Sequence, residues 1–180
     1  MAFNVNTFRS NLIFGGARPN QFDITLTFPA GVNAATQDMT MMAHASSLPG
    51  QDVGIIPVYY FGRTIKVPGD RTFAEWEVTI YNDEDFFIRE AFEQWSSRIN
   101  QHVANVRDVN YITAAGYSTD ATVTQWKKDG TAAAKEYKMV GCWPSNVSAI
   151  QTSWADTNTI ESFSVTFAYQ WWESSTTDSA

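Results

Sequence analysis

The sequence contains a single cysteine, Cys142, and only two histidines among its 180 residues. One cysteine cannot form an internal disulfide, so a disulfide scaffold and a cysteine-rich zinc site are both excluded. Long apolar runs are also absent, because the longest, residues 53–61, is interrupted by Gly54 and Pro57. The N-terminus has no basic segment followed by an apolar one, so the sequence predicts neither a signal peptide nor a membrane span.

Basic residues are scarce as well. Twelve Lys and Arg stand against 19 Asp and Glu, which gives a formal net charge of −7. A chain of this sign repels nucleic-acid phosphates and does not bind them. Hydrophobic residues, in contrast, make up 44% of the chain, and seven residues are Trp. The composition therefore predicts one domain with a sizeable core and excludes disorder over most of the chain.

Alternating apolar and polar residues predict a mainly β fold. The strongest strands are predicted at 22–28, 74–81 and 163–169, and weaker ones at 39–48, 58–61, 64–67, 121–127 and 135–143. Asp129-Gly130 indicates a hairpin between the last two. The polar faces of the three strongest strands carry acids and hydroxyls but no Lys or Arg. Those residues are Asp23, Thr25, Thr27, Glu75, Glu77, Thr79, Ser162, Ser164 and Thr166.

One amphipathic helix is predicted over residues 83–100. Asn82 is expected to cap its first turn, and the acidic residues 83–85 favour the positive end of the helix dipole. Apolar residues at helical spacing predict that one face packs on the sheet, and the polar face carries Glu90 and Glu93. A short helix is predicted at 7–14, a long loop at 105–119 and a flexible tail at 174–180.

The candidate catalytic carboxylates have a simpler structural explanation. Glu75 and Glu77 point to the same strand face, as the two acids of a glycosidase would. No neighbouring Arg, Tyr or His is placed to separate their pKa values, so a solvated strand face explains them better. The acidic residues 83–85 are explained by the helix dipole rather than by a metal.

The remaining reactive side chains also lack a catalytic or metal-binding pattern. His44 and His102 are dozens of residues apart and match no metal-ligand spacing. Cys142 lies in an apolar run, which is typical of a buried, inert thiol. The sequence therefore predicts that the chain is not an enzyme and has no cofactor, metal ion or catalytic residue.

Several motifs occur in a fixed order along the chain. They are Ala17-Arg18-Pro19-Asn20, Leu48-Pro49-Gly50, the block 62–73, Trp76-Glu77-Val78-Thr79, Asn82-Asp83-Glu84, residues 92–95, residues 141–147 and Phe163-Ser164-Val165-Thr166. In this order and spacing the chain resembles the tail tube proteins of contractile-tailed bacteriophages over about residues 17–173. The resemblance is weaker over 31–42 and over 105–134, where a variable insertion or hairpin is expected. A single tail-tube domain is thus expected over 1–173, before the tail.

The resemblance implies a β-sandwich or barrel-like subunit with one flanking helix, structurally akin to the type VI secretion tube protein. Six such subunits form a ring with a continuous inner β-barrel, and stacked rings form a hollow conduit for DNA ejection. The implied partners are other copies of the chain, a contractile sheath, baseplate and tail terminator proteins, and DNA that passes without specific binding. The implied location is the phage tail of the virion, after assembly in the host cytoplasm, with no membrane anchor.

Three surfaces acquire expected roles from this resemblance. The nine polar-face residues given above become candidates for the channel lining, and Glu90 and Glu93 become candidates for sheath contact. Contact with the next ring is expected from an apolar set: Leu48, Pro49, Val53, Ile55, Ile56, Val58, Tyr59, Tyr60 and Phe61.

Two other functions remain open from the sequence. The tube of a DNA-free contractile injection device, a tailocin or secretion system, would use the same ring. A carbohydrate-binding β-sandwich is a rival of another class, because the many Trp side chains are suited to stacking on sugars.

Overall fold

The computed structural model describes residues 4–12, 15–32 and 36–177. Its helices are α1 (Val5–Asn11), α2 (Thr36–Met42), α3 (Phe87–Ile99) and α4 (Ala114–Tyr117), with a 3₁₀ turn at Val109–Tyr111. Its strands are β1 (Phe22–Leu26), β2 (Ala43–Ser46), β3 (Gln51–Tyr60), β4 (Arg63–Phe73), β5 (Trp76–Tyr81), β6 (Thr119–Trp126), β7 (Ala133–Val147), β8 (Ser162–Ala168) and β9 (Trp171–Ser174). The predicted mainly β class is confirmed.

Seven antiparallel strands form one sheet in the order β1-β6-β7-β8-β5-β2, with β9 also paired to β7. The long strand β7 divides this sheet into two parts. Half-sheet A contains β1, β6, β9 and residues 133–142 of β7, and half-sheet B contains residues 143–147 of β7 with β8, β5 and β2. Helix α2 contacts β1 at one end of the sheet and β2 and β5 at the other, so the sheet curls around a single core.

A β-bulge at Gly141 lies where β7 passes from one half-sheet to the other. Thr119 pairs with Cys142 whereas Ala121 pairs with Met139, so β7 holds one extra residue at this point. Gly141 has a φ of 70°, a left-handed conformation that glycine adopts without steric cost. The bulge thus depends on a residue without a side chain.

Helix α3 covers the core side of β8. The ring of Phe92 lies 6.4 Å from that of Phe163 and 5.8 Å from that of Phe167. Trp95 Nε1 donates a hydrogen bond to the Tyr117 carbonyl at 2.8 Å, which ties α3 to α4. The buried face of α3, formed by Ile88, Ala91, Phe92 and Trp95, agrees with the predicted apolar stripe.

The strongest strand predictions correspond to β1, β5 and β8, and the hairpin at Asp129-Gly130 joins β6 to β7. The prediction of one strand over 39–48 is wrong for its first part, because residues 39–42 belong to helix α2. Only residues 43–46 form a strand, β2. The helix predicted at 7–14 begins earlier, at Val5, and ends at Asn11; residues 13 and 14 lie outside the described part. Residue 174, predicted to begin the tail, ends β9 and is buried.

The predicted start of α3 is wrong. The helix begins at Phe87, after Phe86 in a left-handed conformation, and no side chain caps it. Asn82 instead pairs with Glu161: the backbone N–H donates to the Glu161 carbonyl at 2.8 Å, and Nδ2 donates to Oε2 at 3.2 Å. Asp83 accepts the Phe86 N–H in a turn before the helix. The acidic residues therefore build a turn and not the first helical turn.

Replacing Gly141 with Ala should destabilise the subunit by about 1–2 kcal/mol, because a side chain disfavours this φ. The added Cβ would also lie 3.2 Å from Gln170 Cγ. Denaturant unfolding followed by Trp fluorescence measures the change. Gly50→Ala is the matched control, since a Cβ there meets nothing within 4 Å. Equal stability of both variants would show that the bulge does not need glycine.

Candidate interaction surfaces

The outward face of half-sheet B is formed by alternate residues of β5 and β8. Glu77 pairs with Thr166, Thr79 with Ser164, and Tyr81 with Ser162, so their side chains lie next to one another. The hydroxyls of Thr79 and Ser164 are 3.3 Å apart. Neither strand contributes a Lys or Arg to this face. The structure therefore brings Glu77, Thr79, Ser162, Ser164 and Thr166 together on one surface of four hydroxyls and one carboxylate, called here the hydroxyl face.

The remaining channel candidates lie elsewhere. Asp23 and Thr25 project from β1, in half-sheet A, with β6, β7 and β8 between them and β5. Thr27 follows β1, and Glu75 lies in the short connection before β5. Of the nine residues predicted to act together, Asp23 and Thr25 thus lie in a different half-sheet from the hydroxyl face, and Glu75 lies directly before the strand that carries Glu77.

Half-sheet A also carries a lysine on its outward face. Lys138 is paired with Thr122 across the β6–β7 ladder, and its Nζ lies 2.8 Å from Asp120 Oδ2. Partial burial alone would raise the pKa of Asp120, but hydrogen bonds from Lys138 and from the Gly141 N–H, with the lysine charge, hold that pKa below its usual value. Lys138 thus gives half-sheet A the mixed charge that the hydroxyl face lacks.

Strands β3 and β4 form a projecting hairpin. Among the described residues they pair only with each other, as a separate two-stranded sheet. Their two-residue turn, Phe61-Gly62, has φ values of 42° and 78°, as a type I′ turn requires. At the base, the rings of Phe73 and Tyr169 lie 6.2 Å apart.

The apolar side chains of this hairpin are exposed on both sides. Phe61 at the tip is 90% exposed and Tyr59 is 78% exposed. The other predicted ring-contact residues of the hairpin are 45–63% exposed: Val53, Ile55, Ile56, Val58 and Tyr60. Before β3, Leu48 is 44% exposed and Pro49 is half-buried. A two-stranded hairpin is at best marginally stable in water by itself, so the exposed apolar side chains make this hairpin a candidate contact surface.

The polar side of α3 carries Glu90 and Glu93, both exposed. Arg89 donates from Nε to Glu93 Oε1 at 2.8 Å and from Nη1 to the Ser148 carbonyl at 2.6 Å. Arg89 also lies over the Phe163 ring, 5.1 Å from its centre. A hollow of about 400 Å³ lies between this side of α3 and residues 144–147 of β7, with His102 at its edge.

The candidate catalytic and metal-binding side chains do not lie together. Within the described ranges, no three His, Cys, Asp or Glu residues are grouped as a metal site would need. His44 stacks on Tyr81, with ring centres 4.3 Å apart, far in the sequence from His102. Cys142 is fully buried, and burial raises the pKa of its thiol to about 12. The thiol is therefore protonated and inert at neutral pH, as the sequence predicts.

No helix in the described part of the chain combines the length and apolar character needed to cross a membrane.

Comparison with known proteins identifies the family. The sequence profile of the phage tail tube protein family matches residues 17–175. A relative, "Tail tube protein gp19" of Enterobacteria phage T4, is 35% identical over 157 residues, which cover 87% of this chain and 91% of that protein. The chain therefore belongs to the phage tail tube protein family. It is a structural protein of the contractile-tail type and a virion component.

Solved structures have the same fold at low sequence identity. The anti-feeding prophage cap structure includes a chain with a TM-score of 0.63 and 14% identity, covering 88% of this chain and 89% of that one. A chain of an extracellular contractile injection system, the PVC sheath-tube complex, has a TM-score of 0.56 and 12% identity over 96% and 98%. The carbohydrate-binding alternative has no support among these similarities.

Two features of the site were missed at the sequence level. One is which strands form the free edges of half-sheet B: within the described residues these are β2 and residues 143–147 of β7, and they depend on the topology of the whole sheet. The other is the full length of β4. The sequence feature that indicates this longer hairpin is Gly62, because it permits a tight turn between two runs of strand-forming residues.

Proposed function

We propose that the chain is the repeating subunit of a hollow tail tube that conducts DNA, built from stacked rings of six copies. The observation that carries this proposal is that half-sheet B is unfinished at both sides. Within the described residues, β2 pairs only with β5, and residues 143–147 of β7 pair only with β8. Unpaired strand edges favour the addition of another chain.

Ring closure follows from joining these two edges. The β2 edge of one subunit meets the β7 edge of the next, so half-sheet B is repeated around the ring and no edge remains. The segments are similar in length, four residues in β2 and five in β7. The closed sheet is the wall of the channel.

The hydroxyl face lines the channel in this arrangement. Side chains alternate along β8, so Phe163 and Phe167 contact α3 while Ser164 and Thr166 point the opposite way. A channel on the hydroxyl face therefore puts α3 on the outside of the ring. A lining of hydroxyls and carboxylates offers DNA phosphates no cation to bind, so the duplex passes without being held.

The exposed hairpin is proposed to contact the next ring. Its strands run clear of the subunit core, and its apolar side chains are otherwise left in water. Burying them against another copy removes that apolar surface from water, which favours stacking.

The outer surface, with α3, is proposed to meet a contractile sheath. Glu90 and Glu93 give this side of α3 an acidic surface. The similarity in fold to a chain from a sheath-tube complex supports the same neighbour here. Baseplate and terminator proteins are proposed to bind the two ends of the tube, which is assembled in the host cytoplasm. The role is mechanical, without catalysis or a cofactor.

A DNA-free injection device is the second candidate, because chains in the structures of the anti-feeding prophage cap and of an extracellular contractile injection system have a similar fold. The T4 relative, at 35% identity, favours the DNA conduit.

Negative-stain microscopy of the purified chain tests the proposed assembly. We expect annular particles and, at higher concentration, hollow filaments, because the two edges and the hairpin complete one another between copies. Sedimentation velocity provides the matching mass distribution. A monodisperse monomer at every concentration and salt condition, with and without the sheath protein, would contradict the proposal.

The channel assignment is tested by adding lysines to the hydroxyl face. Phage carrying Glu77→Lys and Ser164→Lys should eject DNA about tenfold more slowly or worse at low salt, with recovery as salt rises, because each ring gains cations that bind phosphates. Fluorescence of ejected DNA gives the rate. The control is Thr25→Lys on half-sheet A, which should eject at the normal rate. Slowing by the control alone would assign the channel to the other half-sheet.

The sheath assignment is tested on α3. Glu90→Lys with Glu93→Lys should reduce sheath polymerisation on preformed tubes about tenfold while tube length stays normal, because the charge of the contact is reversed. Turbidity and microscopy measure sheath growth. Asp129→Lys with Asp156→Lys makes the same charge change on two exposed loops and serves as the control. Unchanged sheath growth on the α3 variant would exclude this surface.

A further inference from the structure

The β3–β4 hairpin has two chemically different faces. Directly paired residues of an antiparallel ladder lie on the same face, and neighbours along a strand alternate. The pairs Ile56–Val67 and Val58–Ile65, followed by Tyr60–Arg63, therefore share one face. This is called the aliphatic face: Ile56, Val58, Tyr60, Ile65 and Val67, each between 41% and 63% exposed.

The opposite face is mixed in character. It consists of the pairs Ile55–Pro68, Pro57–Lys66 and Tyr59–Thr64. A lysine and a threonine interrupt its apolar surface, whereas the aliphatic face is continuous up to Arg63 at the tip. An unpartnered continuous apolar surface is typical of a docking site.

Both outer edges of the hairpin carry a proline. In a hairpin closed by a two-residue turn, the pair next to the turn, Tyr60–Arg63, is hydrogen-bonded, and bonded and non-bonded pairs then alternate. Pro57 and Pro68 fall in non-bonded pairs, so their backbone nitrogens face outward. Proline has no N–H, and each outer edge therefore lacks a donor that strand addition would use.

The outer part of the hairpin, residues 55–68, differs in charge from the remaining chain, which includes Asp52, Asp70 and Arg71 at the hairpin base. Residues 55–68 contain Arg63 and Lys66 and no acidic residue, so the rest of the chain carries a formal charge of −9 within the total of −7. Opposite charge favours docking on that acidic remainder of another copy. Packing of two hairpins on each other in the same orientation would instead bring the Arg63 side chains of both tips together.

We propose that the hairpin docks through its aliphatic face on the acidic body of a second copy of this chain, and does not extend the sheet of that copy by strand addition. Arg63 lies beside the docked side chains and pairs with an acidic group of the partner. This inference rests on the proposed stacking of rings and specifies which surface of the hairpin makes the contact.

Truncation of each face in turn tests the proposal. Val58→Ser with Ile65→Ser changes the aliphatic face, and Ile55→Ser with Tyr59→Ser changes the mixed face of the same hairpin. The first variant should raise the concentration needed for tube growth about tenfold or more, and the second by no more than about twofold. Light scattering and microscopy give this concentration, and thermal unfolding checks that the subunit core is intact.

The outcomes separate this inference from the proposed function. Equal loss of tube growth in both variants would overturn docking by one face while leaving the hairpin as the contact between rings. No loss in either variant would contradict the hairpin contact itself. Arg63→Glu should impair growth more than Lys66→Glu, and the reverse order would count against the aliphatic face.

The role of the prolines is tested by restoring the two N–H groups. Pro57→Val with Pro68→Val should form, besides tubes, irregular aggregates that bind thioflavin T. The outer strand edges of the hairpin then have the N–H groups needed to pair with strands of other copies. Ordered tubes without such aggregates would overturn the conclusion that proline blocks strand addition here.

Discussion

The alternation of side chains along β8 is the constraint on which the proposed tube depends. One set of residues, Phe163, Val165 and Phe167, is buried in the core, while Ser164 and Thr166 point away. The register with β5 extends without interruption from the pair Trp76–Phe167 to the pair Tyr81–Ser162. A slip of one residue would exchange the two sets and bury hydroxyls in the core. Packing on α3 and the chemistry of the hydroxyl face are thus fixed by the same hydrogen-bond register.

Much of the fold could be predicted because its signals are local. Period-two alternation identifies β1, β5 and β8 since each buries only one face, and helical spacing identifies the side of α3 that contacts β8. The inert state of Cys142 was likewise predictable from its apolar neighbours. Such features need no knowledge of which strands pair.

The features that could not be predicted depend on distant residues. Asn82 suits a helix cap, but Glu161, almost 80 residues later, takes its hydrogen bonds, and α3 begins without a cap. Asp23 and Glu77 follow the same alternation, yet strand order puts them in different half-sheets. The two faces of the hairpin are distinguished only once the Phe61-Gly62 turn fixes the register. Local pattern therefore gives the elements, and topology decides which polar surfaces act together.

The single strand β7 belongs to both halves of the sheet and bends at one glycine. The angle between the half-sheets is consequently determined by backbone geometry inside each subunit, and a displacement of half-sheet A reaches half-sheet B through peptide bonds. In the proposed ring, where half-sheet B forms the channel wall, the position of half-sheet A relative to that wall therefore depends on the dihedral angles of one residue, Gly141.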